Sequence, residues 1–338
     1  MHPNRKGLAS LCLMLLLAAM ALIGCSSRGS DQPASQAGSA AKLKSVKIGY
    51  TGSTCEAATF TAYEKGFFKE EGLDVELIKG DFENSKNSIA TGKLDAIGGL
   101  VMSWIKPLEQ GLDAKFSAGI HTGCNYTLVR ADSPIQSAKD FRGKRVGVDA
   151  MGASPMMLLA RELVNNGVDY KKDVEWKVYP KTELELALDR GEVDAIALGE
   201  PFGTIIKKNT GKIRVIVDSA KTPPYKDEYC CLVLLSGKVI REDEAAAASI
   251  TRAIMKGADY VKEHPREIGE LIVDKKYVGG DKEVNVEILS QFNFAPSLDG
   301  GEKAVQIAAQ EARKVQFLDP ATDPDSLAKQ IFFRFNGV

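Results

Sequence analysis

The chain has 338 residues, of which 44% are hydrophobic and 26% are charged, and its formal net charge at pH 7 is −1. These values are typical of a globular protein and exclude a disordered chain, which is poorer in apolar residues. The near-neutral charge gives no sign of a nucleic-acid partner, because such proteins present a basic surface. The length fits two domains, or one domain with two lobes.

The first 24 residues have the pattern of a signal peptide. Arg5 and Lys6 supply positive charge, and an almost uninterrupted apolar run follows from residue 8 to residue 24. That run is short for a membrane-spanning helix, which needs about 20 residues. The run ends in Leu22-Ile23-Gly24-Cys25, which resembles the bacterial lipobox, so Cys25 is predicted to become the lipidated, palmitate-bearing first residue. An ordinary signal peptide with a chance cysteine is the alternative.

The segment after Cys25 has no capacity to fold by itself. Residues 26–41 read SSRGSDQPASQAGSAA and contain no apolar side chain larger than Ala. Residues 25–43 are therefore predicted to act as a flexible tether, because they cannot bury apolar surface. A lipid at the start of this tether would hold the folded body at the extracytoplasmic face of the cell membrane.

The folded body begins near Lys44 and contains the same order of elements twice. Strand, helix, strand, helix and strand follow one another over residues 46–97 and again over residues 145–196. The third strands carry related motifs, GKLDAI from residue 92 and GEVDAI from residue 191, which lie 99 residues apart. This repeat predicts two similar βαβαβ lobes. Two independent domains without a shared site are the alternative.

Strands that alternate with helices predict an α/β fold with mainly parallel sheets flanked by helices. In such sheets ligands bind beyond the carboxyl ends of the strands, so two facing lobes would enclose a cleft. Residues 126–231 are predicted to form lobe 2. Residues 44–125 and 232–338 are predicted to form lobe 1, because the C-terminal stretch is too helical for a third lobe of the same kind.

Three segments resemble a known family, the periplasmic-type binding proteins for nitrate, sulfonates, taurine and thiamine-pyrimidine precursors. They are AYEKGFFKEEGLDVEL at residues 62–77, ADSPI and DFRGKRVGV within residues 131–148, and GEVDAI followed by Glu-Pro within residues 191–201. The resemblance implies a two-lobed type II periplasmic-binding-protein fold. Crossover strands near residues 121–129 and 229–235 would let the lobes close on ligand like a hinge.

The resemblance also implies a function. A monomer of this kind would be the solute-binding component of an ATP-driven (ABC) importer, and would deliver a small molecule to permease and ATPase subunits. No catalysis and no cofactor would be needed. The alternatives are an enzyme that builds a thiamine pyrimidine, whose cysteine-rich iron motif is not evident in this sequence, and a ligand-sensing lipoprotein with the same fold.

Five loops are predicted to line the cleft, at residues 51–56, 98–103, 121–125, 149–155 and 198–203. In them Ser53 with Glu56 fits a capping box, and Ser154-Pro155 fits a helix N-cap followed by proline at the first helical position. Free backbone N–H groups at these helix starts would hold a carbonyl or acidic oxygen. The predicted ligand contacts are Thr51, Ser53, Thr54, Cys55, Gly98, Gly99, Leu100, His121, Thr122, Gly152, Ala153, Ser154, Glu200 and Tyr229. The glycines have an alternative role as turn residues, His121 as a core histidine, and Tyr229 as a packing residue at the hinge.

The charge of the five loops bears on the ligand. They contain Glu56, Asp149 and Glu200 but no Lys or Arg. A hard anion such as nitrate or a sulfonate would then depend on dipoles and hydroxyl groups alone. The loops therefore favour a neutral or weakly charged organic molecule, such as a pyrimidine-type heterocycle, unless Lys106 or Arg130 reaches in from elsewhere.

Four cysteines remain in the folded body. A disulfide between Cys124 and either Cys230 or Cys231 would persist outside the cytoplasm, and packed reduced thiols, Cys55 included, are the alternative. The spacing contains no Cys-x-x-Cys and no His-x-x-x-His pair. A metal site formed by these thiols together with His121 is a further alternative, but the spacing does not support it, and no metal site is predicted.

Overall fold

The computed structural model describes residues 43–338, except for the side chains of residues 209 and 210. The predicted signal peptide, the lipidation site at Cys25 and nearly all of the predicted tether lie outside the described residues. None of the helices formed by residues 43–338 has the length and apolar character that crossing a bilayer requires.

The strands are short, and most lie within the two predicted repeats. In chain order they are β1 (Lys44–Tyr50), β2 (Leu73–Lys79), β3 (Ala96–Leu100), β4 (Ala114–Thr122), β5 (Asn125–Arg130), β6 (Lys144–Val148), β7 (Val174–Val178), β8 (Ala195–Gly199), β9 (Ile213–Asp218), β10 (Tyr229–Ser236) and β11 (Asn293–Ser297).

The helices are short between the strands and longer in the C-terminal part. In chain order they are α1 (Ala57–Glu64), α2 (Phe67–Glu70), α3 (Phe82–Ala90), α4 (Val101–Glu109), α5 (Ser154–Asn165), α6 (Leu184–Asp189), α7 (Phe202–Thr210), α8 (Gly237–Glu242), α9 (Glu244–Glu263), α10 (Pro265–Asp274), α11 (Lys282–Gln291), α12 (Leu298–Lys314) and α13 (Pro324–Ile331). Short 3₁₀ turns lie at Thr54–Glu56, Ala138–Phe141, Lys181–Glu183 and Tyr225–Asp227.

The strands form two sheets. Sheet A has the order β11-β4-β10-β3-β1-β2, and sheet B has the order β7-β6-β8-β5-β9. Within each repeat the three strands are parallel, whereas β4, β5, β9, β10 and β11 pair antiparallel with their neighbours. The predicted mainly parallel sheets are therefore mixed. The direction of a crossing strand depends on a partner far away in sequence, which local periodicity does not reveal.

The repeated Asp-Ala-Ile motif has the same structural role in both sheets. The carboxylate of Asp95 accepts a 2.8 Å hydrogen bond from the backbone N–H of Lys47, at the start of the first repeat. The carboxylate of Asp194 accepts an equivalent 2.8 Å bond from the backbone N–H of Arg145. In each repeat the motif thus fixes the register between the third strand and the first, which explains why it recurs with near-constant spacing.

The chain passes between the sheets twice. The first crossing is the two-residue link between β4 and β5, inside the predicted range 121–129. The return lies between β9 and β10, before the predicted range 229–235. Tyr229 already pairs within sheet A, and Asn125 already pairs within sheet B. The strand pairing therefore shifts both expected limits of lobe 2, residues 126 and 231, toward the N-terminus by a few residues. The division into two lobes stays a prediction.

Helices α1 and α9 approach each other closely at Gly257. A Cβ atom placed on Gly257 would lie 2.2 Å from the carbonyl oxygen of Ala58. Gly257→Ala is therefore expected to force the helices apart and to lower the free energy of unfolding by about 1–3 kcal/mol. Urea denaturation measures the loss. The matched control is Gly279→Ala, because no atom that the structure describes lies within 4 Å of a Cβ atom at that position. Equal effects of the two substitutions would contradict the close packing.

Candidate ligand-binding cleft

A cavity of about 1150 Å³ is lined by residues of both repeats. It lies where β1, β3, β6 and β8 end, since the residues that follow these strands or end them form its walls. The carboxyl ends of parallel strands are the usual ligand-binding edge of α/β sheets. The volume lies slightly above the range of about 300–1,000 Å³ that small-molecule sites usually have.

The structure brings a majority of the predicted ligand contacts to this cleft. They come from all the predicted loops except the one at residues 121–125, which contributes only Cys124. The predicted contacts that line the cleft are Thr51, Ser53, Cys55, Gly98, Leu100, Gly152, Ala153 and Glu200.

Several predicted contacts lie behind the cleft wall instead. Thr54 is buried, and its hydroxyl donates to Asn285 Oδ1 at 2.7 Å. Gly99 faces the ring of Trp104, which would lie 2.7 Å from an added Cβ atom. Thr54 and Gly99 therefore do not line the cleft, because core side chains occupy their surroundings.

The residues near the crossings are also displaced from the cleft. His121 is fully buried and stacks on Phe292 at a centroid distance of 4.5 Å, so its alternative role as a core histidine is the one observed. Thr122 pairs with Tyr229 between β4 and β10. The hydroxyl of Tyr229 donates to the carbonyl of Ala295, which places Tyr229 among packing residues rather than ligand contacts.

Ser154 is the first residue of α5 and not its N-cap, which is Ala153. Its backbone N–H donates to the hydroxyl of Ser103 at 2.9 Å, and its own hydroxyl accepts from the side-chain amide of Asn125 at 3.2 Å. The Ser103 side chain on α4 thus occupies an N–H group that was expected to hold ligand. Sequence pattern alone placed the cap one residue too late.

The predicted capping box at Ser53 and Glu56 is confirmed. The Glu56 carboxylate accepts hydrogen bonds of 2.8–2.9 Å from the backbone N–H groups of Thr51, Gly52 and Ser53. These donors are therefore not free for a ligand, contrary to expectation. Burial raises the pKa of Glu56 to about 7, although the three N–H donors oppose that change.

Glu200 is buried at the cleft wall opposite Ser53. Its carboxylate accepts from the hydroxyl of Thr204 at 2.7 Å and from the Thr204 N–H at 3.0 Å, and burial raises its pKa. Its backbone carbonyl accepts from the Ser53 hydroxyl at 3.0 Å. This bond spans the cleft from the turn after β1 to the residue after β8, and the bond from Ser154 to Ser103 likewise joins α5 to α4.

Basic residues reach the cleft from outside the predicted loops. Lys106 lines it, whereas Arg130 is exposed and pairs with Asp132. Most of these lysines have an acidic or carbonyl partner, but the described residues provide no carboxylate partner for Lys79, whose ammonium lies 6.0 Å from the Tyr50 ring. The exception left open for Lys106 is therefore the one observed, because lysines from outside the five loops line the cleft. The cleft lysines are Lys79, Lys86, Lys106, Lys171 and Lys181.

Aromatic side chains line the cleft from both repeats. Phe82 and Trp104 pack edge to face at 5.0 Å on one side, and Tyr170 and Trp176 pack at 6.4 Å on the other. Phe202 and Phe317 add to the walls. Phe202 lies within a predicted loop and Trp104 directly follows another, but neither was predicted to contact ligand. The other aromatic residues lie outside the predicted loops, where an aromatic residue is usually part of the core.

The cysteines gather at the buried side of the cleft. Cys55, Cys124 and Cys231 line it, and Cys230 lies beside them. The shortest sulfur–sulfur distances, from Cys231 to Cys124 and to Cys230, are both 4.0 Å. A disulfide requires about 2.0 Å. The disulfide that the sequence allowed is therefore not formed, and all four thiols are free.

Both ring nitrogens of His121 face carbonyl oxygens. Nε2 lies 3.1 Å from the Cys55 carbonyl, and Nδ1 lies 3.2 Å from the Thr122 carbonyl and 3.8 Å from the Cys230 sulfur. Burial lowers the pKa of His121, but the neighbouring Cys230 and Cys55 together more than offset this and raise it well above its usual range. Hydrogen bonds from Cys124 and Cys231 lower the pKa of Cys55.

Comparison with known proteins gives a family match. The family model described as NMT1/THI5 like matches residues 54–268. The chain is 26% identical over 230 residues to the putative thiamine biosynthesis protein of Haemophilus influenzae, which covers 65% of this chain and 69% of that protein. ATP-binding proteins of bicarbonate and nitrate import from Synechocystis also match, and the chain spans 38% of their length.

Solved structures match over most of the described chain. The periplasmic nitrate-binding protein NrtA from Synechocystis PCC 6803 superposes with a TM-score of 0.72 at 15% identity, over 86% of each chain. The alkanesulfonate-binding protein SsuA from Xanthomonas axonopodis pv. citri, bound to MOPS, gives 0.71 at 16% identity, over 88% of this chain and 100% of that one. The predicted fold class is thereby confirmed.

Proposed function

The chain belongs to the NMT1/THI5-like family, and on that premise we propose that it is the substrate-binding component of an ABC importer. It captures a small organic molecule in the cleft and delivers it to a permease. The observation that carries this proposal is the cleft itself, whose walls come from both repeats at the carboxyl ends of their parallel strands. Solved proteins with the same fold bind nitrate and alkanesulfonates.

The lining residues favour a ligand with an apolar or aromatic part and an acidic group. The aromatic side chains on both walls suit a flat or alkyl moiety. Lys79 supports an anionic group, because its ammonium has no carboxylate partner among the described residues. The buried carboxylates of Glu56 and Glu200 disfavour a ligand that is a small hard anion throughout. A sulfonate, a carboxylate or a pyrimidine-type molecule that carries an acidic group fits this combination.

Hinge closure is the proposed mechanism. The β4–β5 and β9–β10 links connect the sheets and would absorb the change in backbone angles. Ligand that contacts both walls binds the closed form better and increases its population. The hydrogen bond from Ser53 to the Glu200 carbonyl spans the cleft and would form or break in this motion.

The anchoring at the membrane is also part of the proposal. A lipid on Cys25 and the tether of residues 25–43 would keep a monomer near its permease and ATPase on the extracytoplasmic side. A second candidate function is an enzymatic step of thiamine synthesis, which the name of the Haemophilus influenzae relative favours.

Ligand binding is expected to change the intrinsic fluorescence of the protein. The chain has two tryptophans, and both line the cleft, Trp104 on the side of the first repeat and Trp176 on the side of the second. Titration of the full chain in detergent with sulfonates, carboxylates, pyrimidines and nitrate should give saturable changes with one class. Trp104→Phe and Trp176→Phe should each remove part of the signal.

Two results would contradict the proposed function. One is a set of titrations without a fluorescence change or a rise in melting temperature for any compound, although the protein remains folded. The other is chemical conversion of a bound compound, detected by mass spectrometry of the released small molecules. Conversion would favour the enzymatic alternative.

A further inference from the structure

Three thiols converge on one point of the cleft wall. The sulfur atoms of Cys55, Cys124 and Cys231 all lie within 4.8 Å of one another. They come from three separate segments, namely the turn after β1, the β4–β5 link and strand β10. The same three cysteines are the ones that line the cleft, whereas Cys230 and His121 lie behind them.

The spacing of these sulfurs matches the coordination shell of a single ion. Zinc binds thiolate sulfur at about 2.3 Å, so two sulfurs of a tetrahedral site lie about 3.8 Å apart. Cys124 and Cys231 are 4.0 Å apart without any ion, so small rotations of the side chains complete the geometry. An iron–sulfur cluster needs a wider set of cysteines, because iron and sulfide atoms lie between the ligands.

The backbone holds each of the three cysteines in place. The Cys55 carbonyl accepts from His121 Nε2 at 3.1 Å, and the Cys124 carbonyl accepts from the Glu200 N–H at 3.1 Å. Cys231 is fixed in β10 between β3 and β4. Such support from outside the ligand set is typical of metal sites, because it orients the ligands before the ion arrives.

We infer that Cys55, Cys124 and Cys231 bind one thiophilic metal ion at the cleft wall, with the remaining coordination position open toward the cleft. Thiolates select soft or borderline ions, among them Zn²⁺ and Cu⁺. Three protein ligands with an open position differ from a closed four-ligand structural site. The inference stands on the thiol geometry alone and does not depend on the proposed transport function.

The first test is protection of thiols in the unchanged full chain. The protein, reduced and held in detergent, is incubated with Zn²⁺ or, in a separate arm without oxygen, with Cu⁺. A thiol-alkylating reagent is then added, and peptide mapping gives the extent of modification at each cysteine. The expected result is one retained ion per chain and selective protection of Cys55, Cys124 and Cys231. The arm with the tighter retention identifies the ion.

Substitutions provide the second test. Removal of any one of the three thiols should weaken the affinity for the ion strongly, in the variants Cys55→Ser, Cys124→Ser and Cys231→Ser. The expected loss exceeds the about 10–100-fold loss that follows from changing a residue outside the ligand set. Cys230→Ser is the matched control, because Cys230 neighbours the site on the same strand and lies outside the three-thiol set. The Cys230→Ser protein should bind the ion with an affinity within a few-fold of the wild-type value. Circular dichroism establishes that the variants are folded.

Three results would overturn the inference. The first is wild-type protein that retains no stoichiometric ion in either arm. The second is a Cys124–Cys231 disulfide that forms in air even when Zn²⁺ is present, so that the protein retains no metal. The third is loss of the ion in Cys230→Ser together with its retention in Cys55→Ser, which would assign the ion to His121, Cys230 and Cys231 instead.

Discussion

Replacement of Arg161 by Met is expected to lower the free energy of unfolding by about 3–5 kcal/mol. Arg161 lies on α5 with only 6% of its side chain exposed, and its guanidinium donates to both carboxylate oxygens of Glu228 at 2.7 and 2.9 Å. Its Nε donates to Glu311 on α12 at 3.0 Å. Loss of the guanidinium would leave two poorly hydrated carboxylates without a counterion, which is the costly part of the change. Methionine keeps much of the apolar volume of the stem.

The matched control is Arg334→Met. Arg334 also pairs with two carboxylates, Asp299 and Glu302, but about half of its side chain is exposed. Solvent screens exposed ion pairs, so the expected loss is less than about 1 kcal/mol. Urea denaturation of the two variants beside the wild type provides the measurement. Similar losses in the free energy of unfolding for Arg161→Met and Arg334→Met would show that burial does not increase the contribution of the Arg161 ion pairs to stability.

The position of this network gives it a second consequence. Arg161 belongs to the second repeat, Glu228 directly precedes β10, and Glu311 belongs to the C-terminal helix α12. The network therefore ties the returning crossing to elements on both sides of it. A variant that remains folded should close on ligand with altered affinity, which the tryptophan titration described above detects.

The repeats could be predicted from the sequence because their signals are local. Strand and helix periods, glycine stops and the Asp-Ala-Ile motif all lie within short windows, and the structure shows why Asp95 and Asp194 recur. The family match confirms the resemblance that three short segments indicated. The return crossing was placed too late, since the pairing of Tyr229 with Thr122 depends on a partner more than a hundred residues away.

The candidate site could be predicted only in part, for the same reason. Loops at the strand ends were found, but Lys79 at the end of β2 and Trp176 on β7 reach the cleft because of the sheet geometry. The three-thiol set has no spacing signature, because its members come from three distant segments. Backbone N–H groups that looked free for ligand are occupied by Glu56, and a sequence does not show how such donors are shared.

The buried Glu56 should make the stability of the protein depend on pH. Its pKa is about 7 in the folded protein against an ordinary value of 4.5. The folded state therefore holds the proton to a higher pH than the unfolded chain does. The unfolded state releases its proton first, so the free energy of unfolding should fall as the pH rises from about 4.5 to about 7. The difference in pKa between the folded and the unfolded state corresponds to a loss of about 3 kcal/mol in the free energy of unfolding.

Glu56→Gln should remove this dependence. Glutamine stays neutral at every pH but has one acceptor oxygen in place of two, so at pH 4.5 the wild type is expected to be more stable by about 1–2 kcal/mol. The free energy of unfolding of the wild type should fall by about 3 kcal/mol relative to that of Glu56→Gln between pH 4.5 and pH 8. The difference between the two proteins should therefore change sign. Urea denaturation at intervals across this range gives the difference between the two proteins.

Asp194→Asn supplies the control for that pH series. The hydrogen bond and charge of Arg145 lower the pKa of Asp194, so this carboxylate stays ionised in both states at pH 5 and above. The difference between the wild type and Asp194→Asn should therefore stay constant from pH 5 to pH 8. A Glu56→Gln difference that is equally constant would mean that Glu56 is ionised throughout. In that case the three N–H donors of its turn, and not burial, would control the charge at this wall of the cleft.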